Sequence, residues 1–237
     1  LVMQAGVLAT AIAVVQYRVD RMELIRRLGA YLPVQVATQI ADGQAVGSVD
    51  MARRAAVLMT VDLRNFDRWA ERLESRLSAA VLHHYVCAVS DRIEGAGGMV
   101  LQVSGSRVRA IWPVEHPVEP IVRSIHALLT EVDGSFPDLE VDPELPAMGL
   151  AIGLEQGEVL MGTYGSQSSR GFSVLGDVAM MVQGLCRMTV ELSAPCLAGP
   201  VFAARLSAKS RQSLGVFLLE ESVVPRELFE ITEKASV

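Results

Sequence analysis

Apolar residues are concentrated at the start of the chain, where residues 1–17 carry no charged side chain. A bilayer span needs about 20 apolar residues, and the sequence begins at Leu1, so we interpret this run as the last part of a transmembrane helix that starts earlier. Four arginines follow between positions 18 and 27, and basic residues beside an apolar helix mark the cytoplasmic side. We expect an inner or plasma membrane location with residues 18–237 in the cytoplasm. A signal peptide or a buried core helix is the alternative.

Residues 18–54 have the pattern of a helical stalk. Apolar side chains recur every three residues from Val19 to Leu28, which places them on one helix face suited to pairing with a second helix. Pro33 is expected to start a second helix, because proline is tolerated in a first helical turn and breaks a helix interior. The net charge is +2 for residues 1–54 and −8 for residues 55–237, so a mildly basic stalk precedes an acidic domain.

Residues 55–237 alternate between strand and helix patterns. The predicted strands cover 55–63, 99–103, 108–112, 147–154, 157–165, 172–176, 214–219 and 227–231, and the predicted helices cover 71–94, 117–132, 177–192 and 200–208. Residues 134–146 are acidic and rich in proline, which is typical of a surface loop. This order predicts an α+β domain with one central sheet and helices on one face.

Composition excludes several classes of protein. A chain that is 51% hydrophobic and 20% charged is too apolar to be disordered. Three cysteines in 237 residues are too few for a disulfide scaffold. A net charge of −6 argues against a nucleic-acid partner. The mean hydropathy of +0.34 is high for a soluble protein, and the run at residues 1–17 accounts for part of it.

Four segments resemble one enzyme family in the order in which that family carries them. TVDLRNF (60–66) looks like the start of the catalytic domain of class III adenylate and guanylate cyclases, and residues 95–112 resemble its glycine turn and β-hairpin. Residues 151–177 resemble its central strands and Gly-Asp turn, and residues 28–43 resemble the stalk of membrane-anchored bacterial members. The resemblance implies a ferredoxin-like βαββαβ core, with active sites at a head-to-tail dimer interface.

The family's reaction is two-metal nucleotidyl transfer, in which two carboxylates hold two Mg²⁺ or Mn²⁺ ions near the triphosphate. The resemblance places the first metal-binding aspartate at Asp62. The second position is occupied by Ser106, whose neutral hydroxyl is a poor ligand for a divalent ion. Any metal bound is therefore expected to be Mg²⁺ or Mn²⁺ held through Asp62. Helix N-capping is the alternative role of Asp62.

The resemblance also assigns the nucleotide-binding positions. The purine-selecting lysine of the family is replaced by Gln102, and Ser173 stands at the compatible position of its partner. In the turn that cradles phosphates, the family's Gly-Phe-Thr reads Asn65-Phe66-Asp67. The carboxylate of Asp67 is unfavourable beside a triphosphate, since the amides of a helix N-terminus attract anions. ATP binding is therefore expected to be weak.

The positions that stabilise the family's transition state are substituted as well. The asparagine is replaced by Met180 and the arginine by Gly184, and the loss of such a group costs about 10²–10³-fold in rate. We expect a catalytically weak or inactive domain that acts as a dimerising signalling module, as a homodimer or a heterodimer. The alternatives are an active adenylate cyclase, with displaced ligands or as one half of a heterodimer, and a purely structural dimerisation domain.

Three other polar features have simpler interpretations. Asp177 is expected to be the N-cap of the helix over 177–192. His83 and His84 lie on a predicted helix with no cysteine or carboxylate at ligand spacing, so they are expected to be solvated or packed. Met180 and Met181 are interpreted as filler in the core or at an interface, the usual role of methionine.

Overall fold

A computed structural model describes residues 2–29, 34–42, 49–131, 144–165, 170–220 and 222–232. The chain divides into two units, one comprising Leu1–Ala52 with Met161–Ser173 and the other Arg53–Leu160 with Val174–Val237. Each unit is described by itself. Most of the predicted loop 134–146 lies outside the described residues.

Two helices form most of the first unit. Helix α1 covers Val2–Gly29 and helix α2 covers Val34–Ala41, so α2 begins directly after Pro33, as predicted. An ion pair of 2.5 Å joins Arg21 on α1 to Asp42, just beyond the end of α2. Among the described residues, no helix has both the length and the apolar character needed to cross a membrane.

One sheet contains the strands of the described residues, which confirms the predicted central sheet. The strands are β1 (Val49–Arg64), β2 (Met99–Ser104), β3 (Arg107–Pro113), β4 (Gly149–Gly165), β5 (Arg170–Leu175), β6 (Cys196–Ala198), β7 (Arg211–Phe217) and β8 (Arg226–Ile231). Their order is β2-β3-β1-β4-β6-β8-β7, and β5 pairs with β4. The hairpin of β2 and β3 is antiparallel, and β3 is also antiparallel to β1.

The remaining helices are α3 (Phe66–Ala70), α4 (Ser75–Gly95), α5 (Val118–Glu131), α6 (Asp177–Glu191) and α7 (Pro200–Ala203). Buried side chains of α4 and α5 share a hydrophobic core with alternate β1 residues such as Val57, Met59 and Val61. An ion pair between Arg92 and Glu131 also connects α4 to α5. These two helices therefore cover one face of the sheet, but the prediction that the helices lie on one face is wrong for α6, which lies on the other.

Helix α6 adds a second layer on the opposite face. Ile152 and Leu154 of β4 lie in the core with α4 and α5, so Gly153 between them faces the other way. A Cβ atom on Gly153 would lie 2.4 Å from the carbonyl oxygen of Val182 on α6. The absence of a side chain at Gly153 is what allows α6 to approach the sheet this closely.

The observed elements of the domain differ from the predicted ones in several places. The predicted turn between residues 154 and 157 is wrong, because β4 continues through both residues as one strand. The predicted helix over 200–208 is reduced to α7, and the short elements α3 and β6 were not predicted. Three-residue and five-residue elements are too short to show a hydrophobic period.

Candidate functional site

Asp62 lies on β1, two residues before the strand ends, and pairs across the ladder with Arg107 of β3. The carboxylate atom Oδ2 accepts hydrogen bonds from Nη2 of Arg107 at 2.8 Å and from Nε at 3.2 Å. Both side chains are partly buried, with exposed fractions of 21% for Asp62 and 34% for Arg107. The helix N-cap role considered for Asp62 is therefore wrong, because the residue is inside a strand.

The other carboxylate oxygen of Asp62 is bound by Ser106. The Ser106 hydroxyl donates a hydrogen bond to Oδ1 at 2.7 Å, and the Ser106 carbonyl accepts a 3.3 Å bond from the backbone N–H of Leu63. The structure thus brings together the two positions that the resemblance pairs as metal ligands. Both oxygens of the remaining carboxylate are engaged by groups of the protein itself.

Two arginines of β3 have shifted pKa values in this region. Burial lowers the pKa of Arg107, but the hydrogen bonds and charge of Asp62 outweigh it and raise that pKa above its ordinary value. Arg109, two residues along β3, has a lowered pKa because of its burial and the nearby charge of Arg107. Arg109 donates to Oε1 of Gln183 on α6 at 3.2 Å. One guanidinium therefore contacts the single carboxylate, and a second lies two residues further along β3.

The donor set does not fit Mg²⁺ or Mn²⁺. Mg²⁺ needs near-octahedral coordination by oxygen ligands, usually including carboxylates. Here Asp62 is the one carboxylate of the cluster, and it is paired with a guanidinium. Among the described residues, no three His, Cys, Asp or Glu side chains are grouped so that they could hold a metal ion.

The turn after β1 is built around Asn65. Its φ of 63° lies in the left-handed region, which asparagine tolerates better than most residues. Its side-chain amide donates to the carbonyl oxygen of Ala147 at 2.7 Å. Phe66 is buried in the core, whereas Asp67 is exposed in the first turn of α3. Phe66 therefore has a packing role. The exposed carboxylate of Asp67 lies in the turn that cradles the phosphates in the family.

Gln102 and Ser173 are in different units. Gln102 is exposed on β2, opposite Arg109 in the hairpin register. Ser173 is half-buried on β5, in the unit that contains Met161–Ser173. These positions neither support nor contradict the role in purine selection that the resemblance implies, so that role stays a prediction.

Met180 and Gly184 lie one turn apart on α6. The side chain of Met180 is 49% exposed, and Gly184 is buried. An apolar thioether and a glycine cannot donate hydrogen bonds from a side chain to a phosphate or a ribose. Asp177 is the first residue of α6, and its predicted N-cap role is wrong because Gly176 takes that position. The negative charge of Asp177 still stabilises α6, because it lies at the positive end of the helix dipole.

Arg107 on β3 and His83 on α4 make contacts that the sequence analysis did not anticipate. Sequence reasoning missed Arg107, which the antiparallel pairing of β1 with β3 places opposite Asp62. His83 lies on α4, where its two ring nitrogens are 3.8 and 3.7 Å from the sulfur of Cys87. His84 and Cys87 are exposed, as expected for a solvated face of α4. The statement that no cysteine lies at ligand spacing is wrong, because Cys87 follows His83 by one helical turn.

Comparisons with known proteins agree with this geometry at the level of the fold. No family model matches the chain. Adenylate cyclase type 10 of Rattus norvegicus is 25% identical over 151 residues, which are 59% of this chain and 9% of that protein. The chain thus spans less than a tenth of the length of this curated relative.

Solved structures cover more of the chain. A bacterial light-regulated adenylyl cyclase matches with a TM-score of 0.75 and 20% identity, covering 94% of this chain and 63% of that one. A guanylyl cyclase domain from the aquatic fungus Blastocladiella emersonii, described as a non-canonical dimer, matches with a TM-score of 0.57 and 14% identity, covering 77% of this chain and 98% of that one.

The fold is therefore that of a nucleotide cyclase catalytic domain. More closely, the chain has the class III adenylyl and guanylyl cyclase fold, and its curated sequence relatives are adenylate cyclases. The resemblance inferred from the four sequence segments is confirmed at this level.

Proposed function

We propose that this chain is a dimerising signalling module that keeps the class III cyclase fold and has lost two-metal nucleotidyl transfer. The observation that carries the proposal is the environment of Asp62. Its two carboxylate oxygens are bound by the Ser106 hydroxyl and the Arg107 guanidinium. A metal-dependent cyclase needs this carboxylate, together with a second one, free to bind divalent ions.

The substitutions on α6 support the same conclusion. Cyclisation of ATP or GTP builds negative charge on the α-phosphate and the leaving pyrophosphate, and donors placed in advance stabilise that charge. Met180 and Gly184 supply no donor from their side chains. Because Gly184 is buried, a long arginine side chain at this position would need neighbouring groups to move.

Self-association is supported by exposed apolar side chains. Val103 on β2, Leu175 at the end of β5 and Met180 on α6 are 46%, 48% and 49% exposed. Contiguous patches of exposed apolar side chains often mark interaction surfaces, and we propose that these three belong to one such patch. The occupant that we propose is a second copy of this chain, since one of the similar cyclase domains is dimeric. Input would arrive through α1 and α2, and anchoring of residues 1–17 in a membrane stays a prediction.

Analytical ultracentrifugation of the purified chain tests self-association. Met180→Asp places a charge on the proposed surface and is expected to shift the protein toward monomer. Val223→Asp is the matched control, because Val223 is 96% exposed and lies in the segment between β7 and β8. Equal sedimentation of the two variants as dimers would contradict the proposed surface, and so would a monomeric parent.

The alternative function is an active adenylate cyclase, which the curated relatives favour. Incubation of the parent with ATP or GTP and Mn²⁺, followed by chromatography of the nucleotides, tests it. The proposed module forms no cyclic nucleotide, whereas an active cyclase accumulates it in proportion to protein. Calorimetry with a non-hydrolysable ATP analogue then distinguishes a nucleotide-binding module, which gives a binding isotherm, from a structural dimerisation domain, which gives none.

A further inference from the structure

We propose that the Arg107 guanidinium is a resident cation that takes the place of the family's metal ions, so that the Asp62 cluster is independent of divalent metal. The inference deepens the proposed function and rests on it. In addition, the protein carries its own positive charge where metal ions would otherwise balance the Asp62 carboxylate. Three observations support it: the strand register, the contact geometry and the charge balance of the pair.

The backbone fixes the guanidinium in this position. Gly105 has a φ of 58°, which glycine adopts without strain, and it turns the chain from β2 into β3. Arg107 then lies directly opposite Asp62 in the antiparallel register. The 3.3 Å bond from the Leu63 N–H to the Ser106 carbonyl holds the end of β1 to this turn. The pairing is thus set by strand register and does not depend on a chance meeting of two long side chains.

The contact geometry is that of a strong ion pair. Two nitrogens of Arg107 donate to one carboxylate oxygen at 2.8 and 3.2 Å, and charge-assisted bonds of this kind are stronger than neutral ones. The Ser106 hydroxyl occupies the other oxygen at 2.7 Å. The carboxylate therefore has a cation on one oxygen and a donor on the other, and an incoming metal ion would have to displace both.

The charge balance points the same way. Asp62 and Arg107 together are neutral, and neither is fully exposed. Displacement of the guanidinium by a metal would leave a partly buried arginine without its partner, which is costly.

Mn²⁺ binding in the absence of nucleotide, measured by electron paramagnetic resonance, tests the inference without any turnover. The variant S106D/R107A supplies a second carboxylate and removes the resident cation. The matched control S106D/R109A supplies the same carboxylate and removes the neighbouring guanidinium of the same strand. We expect S106D/R107A to bind Mn²⁺ at least about 10-fold more tightly than the control, because it removes a positive charge that competes with the ion for the Asp62 carboxylate.

The outcomes separate clearly. No binding by the parent, with tight binding by S106D/R107A alone, supports a resident cation. Equal affinity of the two double variants would show that Arg107 does not exclude the metal. Binding of Mn²⁺ by the parent that is lost in D62N would overturn the inference, and if no cyclic nucleotide is formed the proposed function still stands. Formation of cyclic nucleotide overturns the proposed function directly.

A measurement on the parent protein covers the case in which S106D/R107A does not fold, as judged by circular dichroism. The Nε–H resonance of Arg107 is observed by nuclear magnetic resonance during a titration with Mn²⁺, which broadens signals close to it. The resident cation predicts that this resonance stays sharp in a large excess of Mn²⁺. Selective broadening of this resonance, reversed by a chelator, would overturn the inference.

Discussion

Gly153 on β4 faces the backbone of α6 so closely that a Cβ atom would lie 2.4 Å from the carbonyl oxygen of Val182 and 2.8 Å from the backbone nitrogen of Cys186. Such distances are far inside van der Waals contact, and the obstructing atoms belong to a helix backbone that cannot rotate away. This contact places α6, which carries Met180 and Gly184, on the same sheet as Asp62. The position of α6 therefore depends on a residue that has no side chain.

Substitution of Gly153 by alanine is expected to destabilise the protein by about 1–3 kcal/mol, the range for overpacking of a tight interior. Gly95 at the end of α4 is the matched control, because nothing lies within 4 Å of a Cβ atom there. Urea denaturation of G153A and G95A measures the two free energies of unfolding. Similar values for both variants would show that α6 can move without cost.

Asn65 provides a test of the turn after β1. Its φ of 63° costs an ordinary residue about 1–2 kcal/mol, whereas glycine adopts it freely. N65A and N65G both lose the hydrogen bond to the Ala147 carbonyl, so the difference between them isolates the backbone conformation. We expect N65A to be less stable than N65G by about 1 kcal/mol in thermal or urea unfolding. Equal stabilities would contradict the left-handed turn.

Glu155 on β4 predicts a dependence of stability on pH. Its side chain is 2% exposed and accepts backbone hydrogen bonds from Gln156, Val201 and Phe202. Burial raises its pKa above the ordinary value of 4.5, although the three hydrogen bonds oppose this shift. As pH rises above 4.5, the unfolded chain loses this proton first. The contribution of Glu155 to the free energy of unfolding therefore falls until the pH passes its folded pKa.

The comparison of parent and E155Q isolates this contribution, because glutamine does not titrate. The melting temperature of the parent is expected to fall relative to that of E155Q as pH rises from about 4.5 toward neutrality, and then to run parallel to it. Differential scanning calorimetry over this range measures both curves. A constant difference at all pH values would contradict a raised pKa for Glu155.

The three cysteines are expected to differ in reactivity. Burial raises the pKa of Cys186 to about 12 and raises that of Cys196 well above its ordinary value, whereas Cys87 is exposed. Since the thiolate is the reactive form, a disulfide exchange reagent at mildly alkaline pH should titrate one thiol in the folded protein and three after unfolding. C87S should abolish the reaction of the folded protein. Fast reaction of a second thiol would contradict the burial of Cys186 and Cys196.

Long elements with a clear hydrophobic period could be predicted from the sequence. The hairpin of β2 and β3 and the helices α4, α5 and α6 were predicted to within a few residues, because each buries one face over several turns or alternations. The break predicted near Gln156 was wrong, since a polar residue followed by Gly157 is typical of a turn and the sheet pairing of β4 is not visible locally. Tertiary pairing decides such positions.

The candidate site was only partly predictable. The resemblance paired Asp62 with Ser106, and the structure places the two side chains in contact. Arg107 was missed because an ion pair between strands depends on which residues oppose each other, and a shift of one residue would turn Arg107 to the other face. Glu155 was missed for a similar reason, since the amides of α7 that bind it are distant in sequence.

Release of pyrophosphate from ATP in the presence of Mn²⁺, measured side by side for the parent and D62N, tests the central claim most directly. D62N removes the carboxylate on which any metal-dependent chemistry at this position depends. The account predicts that both proteins release pyrophosphate at the rate of the protein-free control. Release by the parent above that rate, lost in folded D62N, would show that Asp62 holds a catalytic metal and would contradict the account.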